Sequence, residues 1–552
     1  MGSFEPRRKA PDEDEKTAKR KEDAEMRIIV CTKFIQGELN PFDASALECA
    51  LELAETLKKT QTLEKTGTPG MSEDPETVGT ATELFLLGMG PLTWMEPMRK
   101  LTRLGNSVQL RAVLLSDADF AGSDTLATSR ILAAAVRKIE KEYGPADWIF
   151  CGRQTIDGDT AQVGPELAAL LEIGLAANCL EFPSGIGKQT LRTRTGTEIV
   201  QAPAVLTLER IRELRFPSLR SRAGNVEVLS RAELGIPAEF CGTAGSPTRV
   251  LQTFTAERGR RKCRWIQLEE LLPLLETLRD QPARLGRQIS GSRAAEMDGG
   301  TGSERRESTE LANDAESGSA NGVPGPKLSK VFVVGHEVES AAREIAEEVI
   351  FVEKTDPHTI AEAVRDADVV LWNADLWGRK TAPQTAALLG TGLCADCTEL
   401  ETDGETLFFY RPARSGDVLA KIVCRTRPQM GTVRTADADS GDLILAGGRG
   451  IAGNWETLKK LAKKWNALPA ASRALVDSDG VPYEYQIGLT GRNVSPKIYV
   501  AVGISGAVQH MCAIESADVI LAVNPDRNAR IFEFADYGIE AHAEDFWNFA
   551  EK

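Results

Sequence analysis

A repeat within the chain is the feature that most constrains its fold. Nine residues between 168 and 181 recur in the same order and spacing between 386 and 399, an offset of 218 residues. The matched pairs are Ala168/Ala386, Ala169/Ala387, Leu170/Leu388, Leu171/Leu389, Gly174/Gly392, Leu175/Leu393, Ala177/Ala395, Cys179/Cys397 and Glu181/Glu399. Nine matches in register predict two similar modules related by a pseudo-twofold axis.

Short apolar runs alternate with helical periodicity in both halves. Buried strands are predicted at 27–31, 84–88, 108–115, 148–151, 331–334, 349–352, 369–372, 443–445, 498–501 and 519–522. Between them, helices are predicted at 44–58, 94–104 and 123–142. Continuous apolar strands that alternate with helices predict an α/β fold with mostly parallel sheets covered on both faces.

Composition divides the chain into segments. Residues 1–25 are charged and polar and predict a disordered tail, and residues 283–329 are rich in Gly, Ser, Glu, Arg and Ala and predict a flexible linker. The segments between and after them are predicted as an α/β domain, a helical arm, a second α/β domain and a C-terminal domain, at 26–250, 251–282, 330–435 and 436–552. Within the arm, Pro273 should kink or split the helix.

Charge and cysteine content narrow the class of protein. The 552 residues carry a formal net charge of −15, which argues against nucleic acid or an anionic membrane as partner. No run of eighteen apolar residues is present, and the ten cysteines are scattered, which predicts a soluble cytoplasmic protein of a bacterium or archaeon, in preference to a mitochondrial one. Cys394 and Cys397 have no second pair, so we expect buried strand residues and no metal site.

Glycine-rich loops follow several strands of the C-terminal domain. The run Leu445–Gly450 leaves a strand and precedes a helix predicted at 454–465. Two further glycine-rich runs, at 485–491 and 502–510, and a turn at 522–526 complete the set. Small residues at strand ends let a ligand approach the backbone, and a helix N-terminus favours a phosphate. A plain tight turn is the alternative for the first loop.

These motifs resemble the electron transfer flavoprotein family. Residues 447–538, with Ala471–Ala474, the run at 485–491 and VGISGAVQH at 502–510, resemble the FAD-binding domain of its alpha subunit, and residues 367–434 resemble the preceding alpha domain. The first half resembles the beta subunit at 40–43, 89–91 and 151–162. The resemblance implies a beta–alpha fusion, with nucleotide-binding domains like the adenine nucleotide alpha hydrolases in both halves and a doubly wound FAD-binding domain at the C-terminus.

The resemblance also implies which residues hold FAD. Arg473 is expected beside the flavin ring, Thr490 at flavin N5 and His510 at the O2 edge. The other residues expected to surround the cofactor are Arg449, Ser472, Gln486, Gly488, Gly503, Ser505, Gly506, Gln509, Asn524 and Asp536. The alternatives are a buried arginine paired with a carboxylate, a threonine in a turn and a core histidine.

The first half carries a second candidate nucleotide site. FAGSDTLAT at 120–128 and IDGDTAQVG at 156–164 resemble the electron-bifurcating group of the family, in which a second FAD takes the place of AMP. The residues assigned to this site are Gly122, Asp124, Thr125, Thr128, Asp159, Thr160 and Gln162. The alternative is a simple helix N-cap at Ser123 or Asp124.

The resemblance implies electron transfer by FAD between dehydrogenases of the acyl-CoA type, as in fatty acid β-oxidation, and a quinone or ferredoxin-type acceptor. Bifurcation would add NAD(P)H as a substrate, and only then would the carrier be an oxidoreductase in its own right. Arg215–Arg220 resembles the partner-recognition loop of the family. The alternatives are a carrier with one FAD and AMP, and a non-redox nucleotide-binding regulator.

Overall fold

A computed structural model describes most of the chain. The described residues are 26–66, 82–105, 108–255, 261–280, 326–413, 418–435, 441–488, 491–492, 494–514 and 516–550. The predicted tail lies outside them, and so does the predicted linker as far as residue 325.

The first half is built on a sheet of nine strands within the described residues. In chain order the strands of this half are β1 (Arg27–Thr32), β2 (Phe34–Ile35), β3 (Glu38–Leu39), β4 (Glu83–Met89), β5 (Gln109–Leu115), β6 (Trp148–Gly152), β7 (Gly174–Cys179), β8 (Lys188–Thr193), β9 (Gly196–Gln201), β10 (Ala204–Leu208) and β11 (Val226–Leu229). The order is β11-β5-β4-β1-β6-β10-β7-β8-β9, parallel except for β8 and β9, and β2 and β3 form a separate hairpin.

Helices cover both faces of this sheet. They are α1 (Pro41–Thr66), α2 (Met95–Leu101), α3 (Thr125–Tyr143), α4 (Val163–Leu171), α5 (Arg231–Leu234) and α6 (Gly242–Gly245). Ile28 and Val30 pack with Leu47 of α1, whereas the alternate residues Ile29 and Cys31 pack with α3 on the other face. The continuous apolar strands are therefore buried on both faces of the sheet, as the sequence predicted.

The next sheet repeats the topology of the first. Its five strands within the described residues are β14 (Leu328–Val334), β15 (Ala346–Val352), β16 (Val369–Asn373), β17 (Leu393–Cys397) and β21 (Gln429–Val433). The parallel order β15-β14-β16-β21-β17 matches β4-β1-β6-β10-β7 of the first sheet. The helices around it are α8 (Glu339–Ile345), α9 (Pro357–Val364) and α10 (Leu376–Leu389).

The two modules meet through the repeated segment itself. Helix α4 packs against α10, and the Gln162 side chain at the start of α4 donates to Leu393 O of β17 at 2.9 Å. Asn178 and Asp396 both have positive φ, and each backbone N–H donates to a threonine hydroxyl at 2.8 Å. The repeat seen in the sequence therefore corresponds to two equivalent folds in contact.

The C-terminal domain is a doubly wound parallel sheet, which confirms the predicted fold. Its strands are β22 (Leu443–Gly447), β23 (Leu468–Ser472), β24 (Gln486–Ile487), β25 (Ile498–Val502), β26 (Val519–Val523) and β27 (Tyr537–Ile539), and its helices are α11 (Trp455–Lys464), α12 (Arg473–Asp479), α13 (Val508–Met511) and α14 (Ala543–Ala550). The order β24-β23-β22-β25-β26-β27 reverses between β22 and β25. Ligands bind at that reversal in doubly wound folds.

The described part of the predicted arm at 251–282 includes two strands as well as a helix. β12 (Thr248–Thr255) pairs with β20 (Val418–Cys424), which continues through β19 (Leu407–Ala413) to β18 (Glu399–Thr402), and β13 (Arg264–Trp265) extends the C-terminal sheet beside β27. Helix α7 (Leu271–Asp280) buries Leu271 and Leu275 in the C-terminal core. A 3-10 turn (Leu268–Glu270) precedes α7, so Pro273 lies in the first turn, where its missing N–H breaks no helical bond.

Candidate functional site

A cavity of about 670 Å³ opens at the carboxyl edge of the C-terminal sheet. The residues of the C-terminal prediction that line it are Arg449, Ser472, Arg473, Gln486, Gly488, Gly503, Ser505, Gln509, His510 and Asn524. They come from the carboxyl ends of β22, β23, β25 and β26 and the loops and helices that follow these strands, and from β24 and its loop. Parallel strands end at one edge, so residues far apart in the chain converge at the reversal of strand order.

The first glycine-rich loop lies against the third. Gly448 N–H donates to Val502 O at 2.8 Å, and a Cβ atom added to Gly448 would lie 2.1 Å from Gly503 O. Gly503 itself has a φ of +65°, which side chains other than glycine rarely adopt. The two loops can therefore lie this close only because both positions are glycine. Their contact places backbone without side chains at the cavity wall.

Arg473 is the first residue of α12, directly after the N-cap Ser472. Its Nε lies 3.3 Å from Asp477 Oδ2, and its guanidinium carbon lies 5.4 Å from the centre of the Phe42 ring. The side chain is 32% exposed, so solvent weakens its field. Arg473 is therefore paired with a carboxylate, as the alternative to a flavin contact predicted, and it also lines the cavity.

His510 is buried at the cavity and uses both ring nitrogens within the protein. Nε2 lies 2.8 Å from the Tyr499 hydroxyl and Nδ1 lies 3.2 Å from Ile487 O. Burial lowers the pKa of His510 to about 4, and the bond to Ile487 O only partly opposes this shift. The ring is therefore neutral at pH 7, with its proton on Nδ1, because a carbonyl can only accept. A hydrogen bond from His510 to a ligand would have to replace one of these contacts.

The first half supplies a further wall of the same cavity. Phe42, Gln154, Ile156, Asp159 and Arg210 line it. Gln154 Nε2 donates to Asp159 Oδ1 at 2.9 Å, while Gln154 Oε1 is buried without a hydrogen-bond partner among the described residues. Asp159 was assigned from the sequence to the first-half site, but the structure places it at this cavity, because the loop after β6 turns toward the C-terminal domain.

Two predicted ligands lie away from the cavity lining, and a third falls outside the described residues. Gly506 has a φ of +85°, and a Cβ atom there would lie 2.2 Å from Ile531 N, so this glycine permits a close loop contact. Asp536 Oδ2 accepts from Ile520 N–H at 2.8 Å and forms an ion pair with Arg261 of the arm. The Asp536 carboxylate therefore fastens the arm to the sheet. Thr490 is not among the described residues.

Some of the residues predicted for the first-half site come together at the N-terminus of α3. Asp124 caps the helix through Ala127 N–H at 3.0 Å, and its other oxygen accepts from Thr248 N–H and Oγ1 at 2.9 and 2.7 Å. Thr125 Oγ1 lies 3.1 Å from Gln162 Oε1. The simple N-cap is therefore present. Gly122, with a φ of +77°, lies just before this turn. Thr128 is in the first turn of α3, and Thr160 is in the loop before α4; both are half-buried.

A buried carboxyl lies under this helix start. Glu166 accepts from Ser129 Oγ at 2.8 Å and from Thr125 Oγ1 at 3.0 Å. Burial raises the pKa of Glu166 to about 8, although the bond from Ser129 opposes the shift. The carboxyl is therefore mostly protonated at pH 7 and stabilises the packing of α3 on α4.

The sequence model of the electron transfer flavoprotein domain matches twice, at residues 79–234 and 330–454, and that of the electron transfer flavoprotein FAD-binding domain matches residues 437–515. The chain belongs to the electron transfer flavoprotein family. ETF-type electron transfer with FAD in the C-terminal domain is therefore its activity at the level of the family.

Curated relatives of this flavoprotein agree with the family assignment. The electron transfer flavoprotein subunit alpha of Thermoanaerobacterium thermosaccharolyticum is 33% identical over 268 residues, which are 38% of this chain and 81% of the relative. Protein FixB of Azotobacter vinelandii is 34% identical over 287 residues, 42% of this chain and 80% of the relative. The acryloyl-CoA reductase electron transfer subunit beta of Anaerotignum propionicum is 32% identical over 304 residues, which are 39% of this chain and 83% of the relative.

The residues of the flavoprotein cavity fit FAD. The volume is in the range of cofactor pockets. Bare backbone at Gly450 and Gly503 suits the approach of a pyrophosphate, and Arg449 and Arg473 offer positive charge. Gln154 Oε1 is a buried acceptor that a ligand donor can satisfy.

Sequence reasoning missed four first-half residues that line the flavoprotein cavity: Phe42, Gln154, Ile156 and Arg210. Three of them lie within motifs that had been recognised, NPFD at 40–43 and CGRQTID at 151–157. The motifs were attributed to the first half as a whole. These two motifs follow different strands of the first half. That placement was the signal that could have indicated a cavity shared with the C-terminal domain.

Among the described residues, no helix is both long and apolar enough to cross a membrane, and no cluster of three or more histidine, cysteine or acidic side chains could hold a metal ion. Cys394 and Cys397 are buried on β17, as expected from the sequence.

Proposed function

We propose that this chain combines both subunits of an electron transfer flavoprotein in one polypeptide, with the first half in the place of the beta subunit and the second half in that of the alpha subunit. The family domain matches both halves, and their sheets share one strand order. The C-terminal domain then carries FAD in the cavity that both halves line, and the fused chain moves electrons between a dehydrogenase and an acceptor.

The shared cavity is the observation that carries this proposal. Phe42 and Ile156 from the first half close the cavity with apolar surface, and Gln154 adds a polar atom, while Arg473 and Ser505 face them from the C-terminal domain. Neither half has the whole site alone. A two-chain carrier needs its subunits to associate, whereas here the chain holds both walls together.

Each group of the chain has a defined part in holding the cofactor. Arg449 and the glycine loops bind the phosphates, Arg473 holds a positive charge near the ring, and Phe42 and Ile156 exclude water from it. Burial keeps His510 uncharged, so the positive charge at the cavity comes from Arg210, Arg449 and Arg473. FAD, when bound, supplies one- and two-electron redox chemistry, and the protein orients it and sets its potential.

The surface for the partner dehydrogenase is proposed at the segment 215–220. Phe216 is 95% exposed and Leu219 is 99% exposed. Two large apolar side chains in full contact with water within four residues are typical of a docking element. We expect flavoenzymes of the acyl-CoA dehydrogenase type to bind there, and a quinone or ferredoxin-type acceptor to take the electrons onward.

A nucleotide at the start of α3 is the second part of the proposal. A glycine with positive φ, the helix N-terminus and the Thr125–Gln162 pair suit a phosphate group. AMP there gives a carrier with one flavin, and a second FAD gives a bifurcating oxidoreductase that accepts hydride from NAD(P)H. Asp124 and Thr125 are already bonded within the protein, and AMP is smaller than FAD, so the non-bifurcating form requires the smaller rearrangement.

The test is to count cofactors and to challenge them with NADH. We expect a yellow protein that releases one FAD and one AMP per chain on denaturation, and that NADH leaves oxidised under anaerobic conditions. Two FAD per chain together with reduction by NADH would select the bifurcating form. Protein that binds nucleotide but no FAD would contradict the electron transfer role and favour a regulator.

A further inference from the structure

A second cavity, of about 610 Å³, lies where both halves and the C-terminal domain meet. Five arginines line it: Arg153 and Arg194 from the first half, Arg379 and Arg434 from the second α/β domain, and Arg492 from the C-terminal domain. Its lining shares only Gly488 with that of the FAD cavity. We call it the arginine cavity.

The arginines of the first half outnumber their carboxylate. Arg153 Nε lies 3.1 Å and Arg194 Nη1 lies 3.5 Å from the same atom, Glu209 Oε1. All three side chains are at most 4% exposed. One carboxylate therefore balances two guanidinium groups, and this cluster keeps a net charge of +1 away from water.

The second α/β domain repeats this excess. Arg379 Nη2 lies 2.8 Å from Asp396 Oδ1, and Arg434 forms an ion pair with the other oxygen of Asp396. Asp396 is buried, and although burial alone would raise its pKa, Arg379 and Arg434 lower it to about 2. The carboxylate is therefore ionised, and the second cluster also keeps a net charge of +1.

The remaining charges around the arginine cavity balance one another. Arg492 and Glu484 both line the C-terminal wall. Asp375 lies 3.7 Å from Lys354, which also pairs with Glu337, and caps α10 through Gly378 N–H at 2.7 Å. Arg411, a further cation that acts on Asp396, offsets this additional carboxylate. The excess that faces the cavity is therefore the two units from the arginine clusters.

Donor groups of these buried arginines are unused. Arg153 Nη2 and Arg194 Nε are buried without a hydrogen-bond partner among the described residues. Burial, only partly offset by Glu209, lowers the pKa of Arg153 to about 10, and the positive charges of Arg194, Arg473 and Arg379 add to the shift. Unsatisfied buried donors cost free energy, and an anion that accepts from them would recover it.

We propose that the arginine cavity binds a dianionic phosphate monoester, with Arg153 and Arg194 on one side and Arg379 and Arg434 on the other. Two excess positive charges match two negative ones, and guanidinium groups bind phosphate oxygens in pairs. The hydroxyl of Thr435, the amide of Asn373 and the ring of Tyr483 line the rest of the cavity and suit a small polar body on the phosphate. The ligand bridges the two modules because each supplies two arginines.

The test uses the FAD-loaded full chain and titration calorimetry in chloride buffer at constant ionic strength. The probes are glycerol 3-phosphate and inorganic phosphate. We expect one saturable site per chain for each probe. R194Q and R379Q should each weaken the binding by roughly tenfold or more, because each removes a charge-assisted bond.

R192Q is the matched control, since Arg192 is on the same hairpin as Arg194 but is 65% exposed and pairs with Glu181 outside the arginine cavity. R192Q should bind both probes as the wild type does, and R379K, which keeps the charge, should retain most of the affinity. Heat that does not saturate, or equal affinity in the wild type, R194Q and R379Q, would overturn the proposal. Flavin absorbance, recorded on every sample, reports the FAD site separately.

Discussion

Two regions of this molecule carry similar residue types at the carboxyl ends of parallel strands, and they differ in how far the protein satisfies its own polar groups. At the start of α3, Asp124 and Thr125 are bonded to backbone, hydroxyl and amide groups of neighbouring segments. At the C-terminal cavity, Gln154 Oε1 has no partner among the described residues and glycine backbone lines the wall.

The difference teaches that residue type does not distinguish an open cavity with unused polar atoms from a helix start whose polar groups are already paired within the protein. Asp, Thr and Gln side chains stabilise either one. The C-terminal cavity has volume and an unsatisfied acceptor, whereas the polar groups at α3 join the first half to the second through Thr248 and Leu393. Substitutions at the two sites should therefore have opposite signatures in flavin content and stability.

The largest effect is expected for G448A. Its added Cβ atom would meet Gly503 O at 2.1 Å, so the two loops must separate and the phosphate-binding wall is lost. We expect FAD affinity to fall by at least roughly tenfold, measured as flavin retained after dialysis. The matched control is G185A, where nothing lies within 4 Å of the added atom. Normal flavin content in G448A would remove the glycine wall from the site.

D124A tests the other side of the comparison. The substitution removes the cap of α3 and the two bonds to Thr248, so we expect a loss of about 2 kcal/mol in the free energy of unfolding, from urea titration. Flavin content should stay unchanged. D356A, at the exposed cap of α9, is the control and should lose less stability than D124A. Loss of one of two flavins in D124A would instead assign a cofactor to the first half.

R473A should lower the reduction potential of the bound flavin, because a positive charge near the ring favours the reduced state. The side chain is partly exposed and paired with Asp477, so a shift of on the order of 60 mV or less is expected, where about 59 mV corresponds to a tenfold change for one electron. Spectroelectrochemistry gives the midpoint. R527A, exposed and outside the cavity lining, should leave it unchanged; the same midpoint in R473A would contradict the role of Arg473.

The smallest effect concerns pH. Burial raises the pKa of Glu166 to about 8, so the folded protein holds a proton that the unfolded chain has already released above its ordinary value near 4.5. Stability from this group is full below that value and is lost as pH rises through 8. E166Q should lose less stability than the wild type between pH 6.5 and 8, by about 1 kcal/mol.

Urea titrations at the two pH values measure this difference. Asp43, whose burial raises its pKa to about 7, leaves part of the slope in both proteins. E172Q, with a change at an exposed glutamate just after α4, is the control and should keep the wild-type slope. An identical slope in E166Q would show that Glu166 is ionised in the folded state.

Much of the C-terminal site followed from the sequence, because its residues come from loops at strand ends of a single sheet. Arg449, Gly503 and Ser505 illustrate this: each lies within three residues after an apolar run that predicts a buried strand. Asp536 did not reach the site, because Arg261 of the arm holds its carboxylate. The partner came from a segment 275 residues away, which no local pattern indicates.

The sequence by itself determined the α/β repeat, the positions of the strands and the glycine turns, since these depend on short-range periodicity and backbone conformation. Only the tertiary structure decided that Asp159 and Gln154 face the C-terminal cavity and that arginines of both modules share one space. Those placements depend on how the equivalent helices α4 and α10 pack together. Such packing brings together residues that are hundreds of positions apart in the chain. It depends on the burial of apolar surface and on the interactions of charged side chains in the assembled fold.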